Sequence, residues 1–530
     1  MGIRDLVFGC VVVGGAGLLA ASLRTPATSK PVVEPTTMGV DVTGINDAFR
    51  RDWAQRHVSP SPPAADLAVL RRISLALTGA IPSLEEIRRF ESYPADRRLE
   101  LALEDRLKDR RVADYLAERL ARAFVGTEDG PFILFRRRRF TTWLGDSIHQ
   151  GRSYDAIVRD LITDRGLWTD HPATNFVTVT YDPIPQLPDP ERLAARVARA
   201  CLGVRIDCAQ CHDHPFQPWT QADFRGLAAF FGSVHSDLRG VRETDPWYKP
   251  LDRKTKIPTA VEPCFPFQPE IATDTGTPRE RLASWVVDPR NRQFRQAITN
   301  RIWALMTGRP LVEPVDDLSS VEVLPEPLVL LAEDFASHGY DLRRLIRAIV
   351  ATEVYRAESE DASDSTSSQE VNPNWSVFPL SRLRPEQVAG SIYQSASLST
   401  LTPQAFWLAR WTAYNARNDF VKRYGDTGED EFDSRGGTIP QRLLLMNGDL
   451  VRDLIKDEFF NASSQIASLA PDDRKAVEVA YLAVLTRRPT SEEAEHFESR
   501  LTQSTSQVRK DRLTDLYWTL LNSSEFSWNH

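Results

Sequence analysis

Asp66-Leu67-Ala68-Val69-Leu70-Arg71-Arg72-Ile73-Ser74-Leu75-Ala76-Leu77-Thr78-Gly79, followed by Ala80-Ile81-Pro82-Ser83-Leu84-Glu85-Glu86, decides the fold class. Leu67, Leu70, Ile73, Leu75 and Leu77 fit a helix. Ser83 with Glu86 three residues on is a capping-box start behind Pro82, in which each side chain satisfies a free amide of the other residue. Helical spacing returns over 99–124, through Leu101, Leu103, Leu107, Val112, Tyr115, Leu116, Leu120 and Phe124, and again over 140–162. Runs of strict alternation, the mark of half-buried strands, are scarce. The expected fold is mainly α, with two helical domains.

The second half carries the same signature. Residues 278–355 hold apolar periodicity for three or four helices, and 382–398 and 441–456 resume it after a Ser-, Asp- and Glu-rich surface loop at 358–374. A Gly- and Asp-rich stretch at 424–437 separates those two. Final helices are expected at 474–485, 491–501 and 512–522, with Thr490 or Ser491 as the cap ahead of Glu492 and Glu493. The expected division is a helical domain over 64–236, a Pro-rich, charged connection over 237–277 with room for short strands, and a second helical domain over 278–530. No fixed-period repeat is visible.

Composition narrows the function classes. The chain has 530 residues, 42% hydrophobic and 26% charged, enough apolar matter for real cores. Lys+Arg 65 against Asp+Glu 73 gives a net charge of -8, which argues against a nucleic-acid partner. There is no P-loop, dinucleotide fingerprint or nucleophile elbow, so kinase and hydrolase readings lack support and no catalytic residue is assigned.

Residues 1–24 read as a signal peptide or membrane anchor. The run 6–23 is apolar, with Val11, Val12, Val13, Leu18 and Leu19, preceded by Arg4 and followed by Arg24 and Lys30. At about 18 residues it stands at the border between a signal core and a short spanning helix. Cys10 lies inside it. Residues 25–63 read as a linker, with Pro26, Pro31, Pro35, Pro60, Pro62 and Pro63 around one short helical stretch at 45–56. The expected location is extracytoplasmic, in the periplasm or at the cell surface, either anchored in the membrane through residues 6–23 or secreted.

Asp189 and Pro190 open the helix that carries the chemistry. Leu193, Val197, Cys201, Val204, Cys208 and Cys211 follow at steps of three and four, with Gly203 the point where a break fits. The stripe ends in Cys208-Ala209-Gln210-Cys211-His212-Asp213-His214-Pro215-Phe216, the Cys-x-x-Cys-His pattern of c-type haem attachment. On a helical turn Cys208, Cys211 and His212 share one face, so two thiols can add to the two vinyl groups of one porphyrin while the imidazole binds the haem iron. Covalent attachment of this kind takes place outside the cytoplasm in bacteria, so the N-terminal segment and the motif support each other.

Other chemistry fits the same residues. Cys208, Cys211, His214 and His235 make a Cys2His2 set for zinc. Cys208 and Cys211 can act as a redox dithiol, although the usual strand-helix-strand frame is missing. A buried pair or structural disulfide, with His212 and His214 capping a helix, is the plainest use. A haem also takes a sixth ligand or keeps an open site; Met306, Met446, His214 and His235 are the candidates, each more at home as packing, the two methionines as gap fillers in buried helices.

Arg71-Arg72-Ile73-Ser74-Leu75-Ala76-Leu77-Thr78-Gly79 followed by Ile81-Pro82-Ser83, together with Leu202-Gly203-Val204 and the run from Cys208 to Phe216, resembles the planctomycete cytochrome-related PSCyt domain of unknown function. Asn300-Arg301-Ile302-Trp303-Ala304, Gly308-Arg309-Pro310-Leu311-Val312-Glu313-Pro314-Val315-Asp316-Asp317, Gly339-Tyr340-Asp341-Leu342 and Leu445-Met446-Asn447-Gly448 are similar to the planctomycete-specific PSD domain that accompanies it. The resemblance covers 63–236 and 278–530. It implies two-domain organisation, export and a haem motif, while the activity of such proteins is not established. Many of them carry a separate cytochrome c module ahead of these domains; here an apolar segment and a linker precede residue 64, which leaves Cys208, Cys211 and His212 as the haem candidate. Cys201 stands where a bulky apolar residue is expected, and 318–324 departs from the Pro- and His-containing stretch of the family.

The arginine run 136–139 reads as a solvated helix face rather than a phosphate grip. Asp316 and Asp317 read as caps of a following helix. Trp219, Trp247, Trp303 and Trp411 read as core or interface, with a carbohydrate platform as the other use. The expected function is an exported, membrane-tethered mono-haem electron-transfer protein with a redox partner. The alternative is a non-redox surface binding or scaffold protein with zinc or a disulfide at the Cys/His cluster, and a catalytic role on polysaccharides is a third option.

Overall fold

The computed structural model describes residues 39–127, 137–182, 187–251, 256–359, 374–401, 438–448, 461–502 and 505–530, with isolated positions between 420 and 451. The apolar run 6–23 with Cys10, and also Arg136 and Trp411, lie outside the described residues. Among those described, no helix is long and apolar enough to cross a membrane.

The fold is mainly α. Helices of eight residues or more in the first half are α1 Thr43–Arg56, α2 Asp66–Thr78, α3 Leu84–Ser92, α4 Arg98–Lys108, α5 Arg110–Val125, α6 Arg137–His149, α7 Tyr154–Thr163, α8 Pro190–Val197 and α9 Gln221–Ala229. In the second half they are α10 Pro278–Val286, α11 Arg292–Thr307, α12 Glu326–Ser337, α13 Leu342–Ala351, α14 Pro385–Ser395, α15 Ile439–Asn447, α16 Ala462–Leu469, α17 Asp473–Leu485, α18 Ser491–Leu501 and α19 Ser506–Leu521. Among the described residues three two-stranded antiparallel pairs decorate them: β1 Tyr181–Asp182 with β2 Leu187–Pro188, β3 Val234–Asp237 with β4 Gly240–Glu243, and β5 Ser381–Arg382 with β6 Trp528–Asn529.

Local signals placed the helix starts well. The Ser83 hydroxyl accepts from the Glu86 amide at 3.0 Å and Glu86 accepts from the Ser83 amide at 2.9 Å. Burial pushes the Glu86 carboxyl up, but Arg106 and Arg111 outweigh it and hold the group down at about 2. Thr490 forms the same box with Glu493 ahead of α18.

The deciding stretch becomes α2, and every residue from Val69 to Leu77 is buried. Leu75 and Leu77 cannot lie on one stripe, and they do not need to, because α2 is a central helix enclosed on all sides. Even Arg71 and Arg72 are inside. Arg71 donates to the Val484 and Phe526 carbonyls. Arg72 donates to the Tyr355, Ala357 and His530 carbonyls and lies over the Phe378 ring at 3.8 Å. Burial pushes both guanidinium groups down to about 10. The partners all come from the second half, and one continuous apolar cluster runs from Ile45 to Phe526.

The stretch expected as a spacer at 25–63 contains α1, and α1 is docked rather than set apart. Ile45, Ala48, Phe49 and Trp53 are buried, Phe49 stacks on Trp303 at 5.8 Å, and the Trp53 indole donates to the Asn374 carbonyl at 2.7 Å. Phe49 and Trp53 stand four apart on one helix face, which gives α1 an anchor despite its proline-rich surroundings.

Candidate functional site

α8 begins as the sequence dictates: Pro190 follows the cap, and the Asp189 carboxylate accepts from the Glu191 amide at 2.9 Å and the Arg192 amide at 3.2 Å. The expected stripe to Cys211 is then interrupted. A wide π turn, Ala198–Leu202, ends at Gly203, whose φ of 61° suits a residue without a Cβ.

Beyond the break, Ile206–Gln210 is a 3-10 helix. Three residues per turn give it three edges. Ile206 and Ala209 bury themselves against the core. Asp207 and Gln210 form the second edge: Asp207 pairs with Arg199 at 3.0 Å, and the Gln210 amide donates to Glu191 at 2.5 Å. The third edge holds Cys208, with Cys211 at the cap position, both exposed free thiols. Cys201 is buried, and burial pushes its thiol up to about 12, so it packs and does not react.

His212 follows directly, exposed, with Nδ1 2.7 Å from the Asp213 carbonyl oxygen. A carbonyl only accepts, so Nδ1 is the nitrogen that donates here and Nε2 makes no part of this bond. His214 is the reverse case. Its Nδ1 accepts from the Phe216 amide at 3.2 Å and the Gln217 amide at 3.0 Å, so this ring closes its own turn. His235 is half-buried on β3, with Nδ1 2.9 Å from the Thr244 hydroxyl and its ring edge-on to Trp247. Among the described residues no three of His, Cys, Asp and Glu are gathered as a metal site needs. Cys208, Cys211 and His212 are all exposed, while His214 and His235 turn to local partners.

The remaining candidates have structural work. Met306 is buried, as expected, but Met446 is exposed, because α15 turns only Leu445 inward. Arg137 pairs with Glu118 at 2.6 Å and Arg139 donates to the Thr169 carbonyl at 2.7 Å. Trp219 is half-buried against Phe267, Trp247 donates to the Val234 carbonyl at 3.1 Å, and Trp303 is core.

Asp316 and Asp317 do not cap the Leu318–Ser320 turn with their side chains. Asp316 pairs with Arg205 at 2.7 Å and Arg199 at 3.4 Å, ahead of the motif. Asp317 accepts from the Gln217 amide at 3.1 Å, behind the motif. Sequence reasoning missed both roles. The available signal was the run of Arg196, Arg199 and Arg205 before the cysteines, a positive surplus that local Asp207 alone does not balance.

Residues 44–236 match the family described as PSCyt2, protein of unknown function (DUF1549), and residues 278–404 match PSD1, protein of unknown function (DUF1553). The chain belongs to these paired families. Comparison with curated proteins and with solved structures finds no match. The PSCyt2 match starts within α1, the helix docked in the core, and contains the whole Cys208-Cys211-His212 motif. Asp316 and Asp317 belong to PSD1, so the surroundings of the motif are built by both families.

Proposed function

We propose that this PSCyt2-PSD1 protein works outside the cytoplasm as the carrier of one covalently attached haem c and exchanges single electrons with a partner protein. The observation that supports this most is the state of His212. Its Nδ1–H donates to the Asp213 carbonyl, which leaves Nε2 as the nitrogen available to a ligand, one residue after two exposed thiols on one edge of a short helix. Metal-binding histidines are oriented in this manner by a second hydrogen bond on the other ring nitrogen. The donor set suits the group: Cys208 and Cys211 would hold the porphyrin through thioether bonds, and His212 would bind the iron. Haem c, when bound, supplies a one-electron couple. The chain's part is to fix the two thiols and the imidazole on a rigid turn at the surface, where a partner can approach. The apolar run 6–23 supports export and a membrane tether.

The test is a pyridine haemochrome spectrum with a haem-stained denaturing gel, on protein from the exported fraction of its native host. Covalent haem is expected in the natural chain and lost in Cys208→Ala and in Cys211→Ala. Properly exported protein without haem refutes the reading and moves the account to a non-redox surface binding or scaffold protein.

A further inference from the structure

We infer that Asp316 and Asp317 of the PSD1 region are positioning residues for the Cys208-Cys211-His212 site; their role toward haem rests on the function proposed above, while their grip on the loop does not. The two acids are neighbours, yet they hold opposite flanks of the motif. Asp316, its side chain 14% exposed, takes Arg205 and Arg199, and Arg199 in turn holds Asp207, the residue before Cys208. Asp317, 8% exposed, accepts from Gln217, whose own carbonyl oxygen accepts from the Trp219 indole at 2.9 Å. The Trp219 carbonyl then accepts from the His214 amide at 2.8 Å, and the Phe216 and Gln217 amides close on His214 Nδ1. The Leu318 amide adds a bond to the Gly203 carbonyl at 2.7 Å, at the break where the motif segment leaves α8.

One short PSD1 turn thus fixes the segment before the cysteines, the break behind α8 and the loop after the histidine. From within PSCyt2 the motif has bonds from Gln210 to Glu191 and from the Gln221 amide to Asp213, both on the side of α8 and α9. A hydrogen bond to a largely buried carboxylate is stronger and better aimed than one in water. Without the PSD1 turn, the loop from Asp213 to Trp219 loses its outer support, and the Asp213 carbonyl no longer selects a single His212 tautomer. A second consequence is that Phe216, 92% exposed, is displayed on a loop that is held rather than free.

The experiment uses the full chain in haem-free form, made without export, and the exported form beside it. Asp317→Ala and Gln217→Ala remove the two ends of one bond; Asp317→Asn keeps an acceptor for Gln217; Glu313→Gln, whose exposed carboxylate pairs with Arg309, is the control. In haem-free protein, exchange of the Phe216 and Gln217 amides is expected to speed up about tenfold in the Ala variants. The imidazole nitrogen shifts of His212 should move from the Nδ1–H form toward a tautomer mixture. Asp317→Asn should restore most of both, and Glu313→Gln should change neither. In exported protein, haem occupancy should fall severalfold in the same order. Unchanged exchange and unchanged His212 shifts in both folded Ala variants overturn the inference, whatever the haem content. Changed exchange in a chain that never takes up haem upholds the positioning role and removes the haem reading instead.

Discussion

Glu386→Gln tests whether the PSCyt2 and PSD1 regions unfold as one body. Glu386 lies in the first turn of α14, 7% exposed, and one carboxylate oxygen takes three groups: Arg384 at 2.9 Å, Arg119 at 3.0 Å and the Tyr115 hydroxyl at 3.2 Å. Arg119 and Tyr115 come from α5 of PSCyt2. Burial pushes the carboxyl up, but Arg119, Arg384 and Arg122 outweigh it and hold the group at about 2 against an ordinary 4.5. A carboxyl depressed to that extent contributes about 3 kcal/mol at neutral pH. Removing one partner of a buried ion pair costs about 3–5 kcal/mol, a figure of the same size. The sign follows from proton uptake: between 4.5 and about 2 the unfolded chain binds the proton and the folded chain does not, so the contribution is complete above 4.5 and lost as pH falls toward 2. Urea denaturation followed by tryptophan fluorescence and far-UV circular dichroism should show a loss of about 3 kcal/mol at pH 7, in one transition seen by both probes. The difference from the natural chain should shrink as the buffer is taken from pH 4.5 downward. A loss below about 1 kcal/mol, the scale of an exposed pair, or a difference that persists at pH 2, refutes the assignment of Glu386 as the charge that joins α5 to α14.

Two glycines should respond in opposite directions. Gly44→Ala in α1 meets open space and should raise stability by about 0.5–1 kcal/mol in the same denaturation assay. Gly240→Ala should cost more than about 2 kcal/mol, since Gly240 has a φ of 92° and an added Cβ would sit 2.1 Å from the Gly166 carbonyl carbon. Maleimide labelling of haem-free native protein, read by peptide mass spectrometry, should modify Cys208, Cys211 and Cys264 and leave Cys201 untouched until the chain is unfolded. Early labelling of Cys201 would contradict its burial.

What the sequence revealed follows from the range of the interactions involved. Helix starts were legible because caps are local: Ser83 with Glu86, Asp189 with Pro190, and Thr490 with Glu493 are complete within four residues. The motif was legible for the same reason, since Cys208, Cys211 and His212 are set by one turn. The surroundings of the motif were not. Asp316 and Asp317 meet Arg199, Arg205 and Gln217 across about a hundred residues, and an Asp pair before a turn looks like a cap until its partners are known. The burial of Arg71 and Arg72 was not legible either: charged residues ordinarily mark a solvent face, and here the carbonyls of distant segments hold them inside. Helix α1 was expected at 45–56, but its docking was not, because the prolines around it read as a linker while Phe49 and Trp53 pack it on the core.

The same physics explains why the two families share one chain. Arg71, Arg72 and Arg119 of PSCyt2 are buried cations with partners in the second half: the Tyr355 and Ala357 carbonyls and the Glu386 carboxylate within PSD1, and the Val484, Phe526 and His530 carbonyls beyond it. A PSCyt2 region cut free of the second half would lose these partners and expose part of the apolar surface of α2 to water. The motif repeats this dependence at smaller scale, with Asp316 and Asp317 in place of the carbonyls. Under the proposed function, an exposed electron-transfer site needs no deep pocket of its own but needs its ligands held still, and the bonds that flank the motif in this fold come from Asp316 and Asp317 of PSD1.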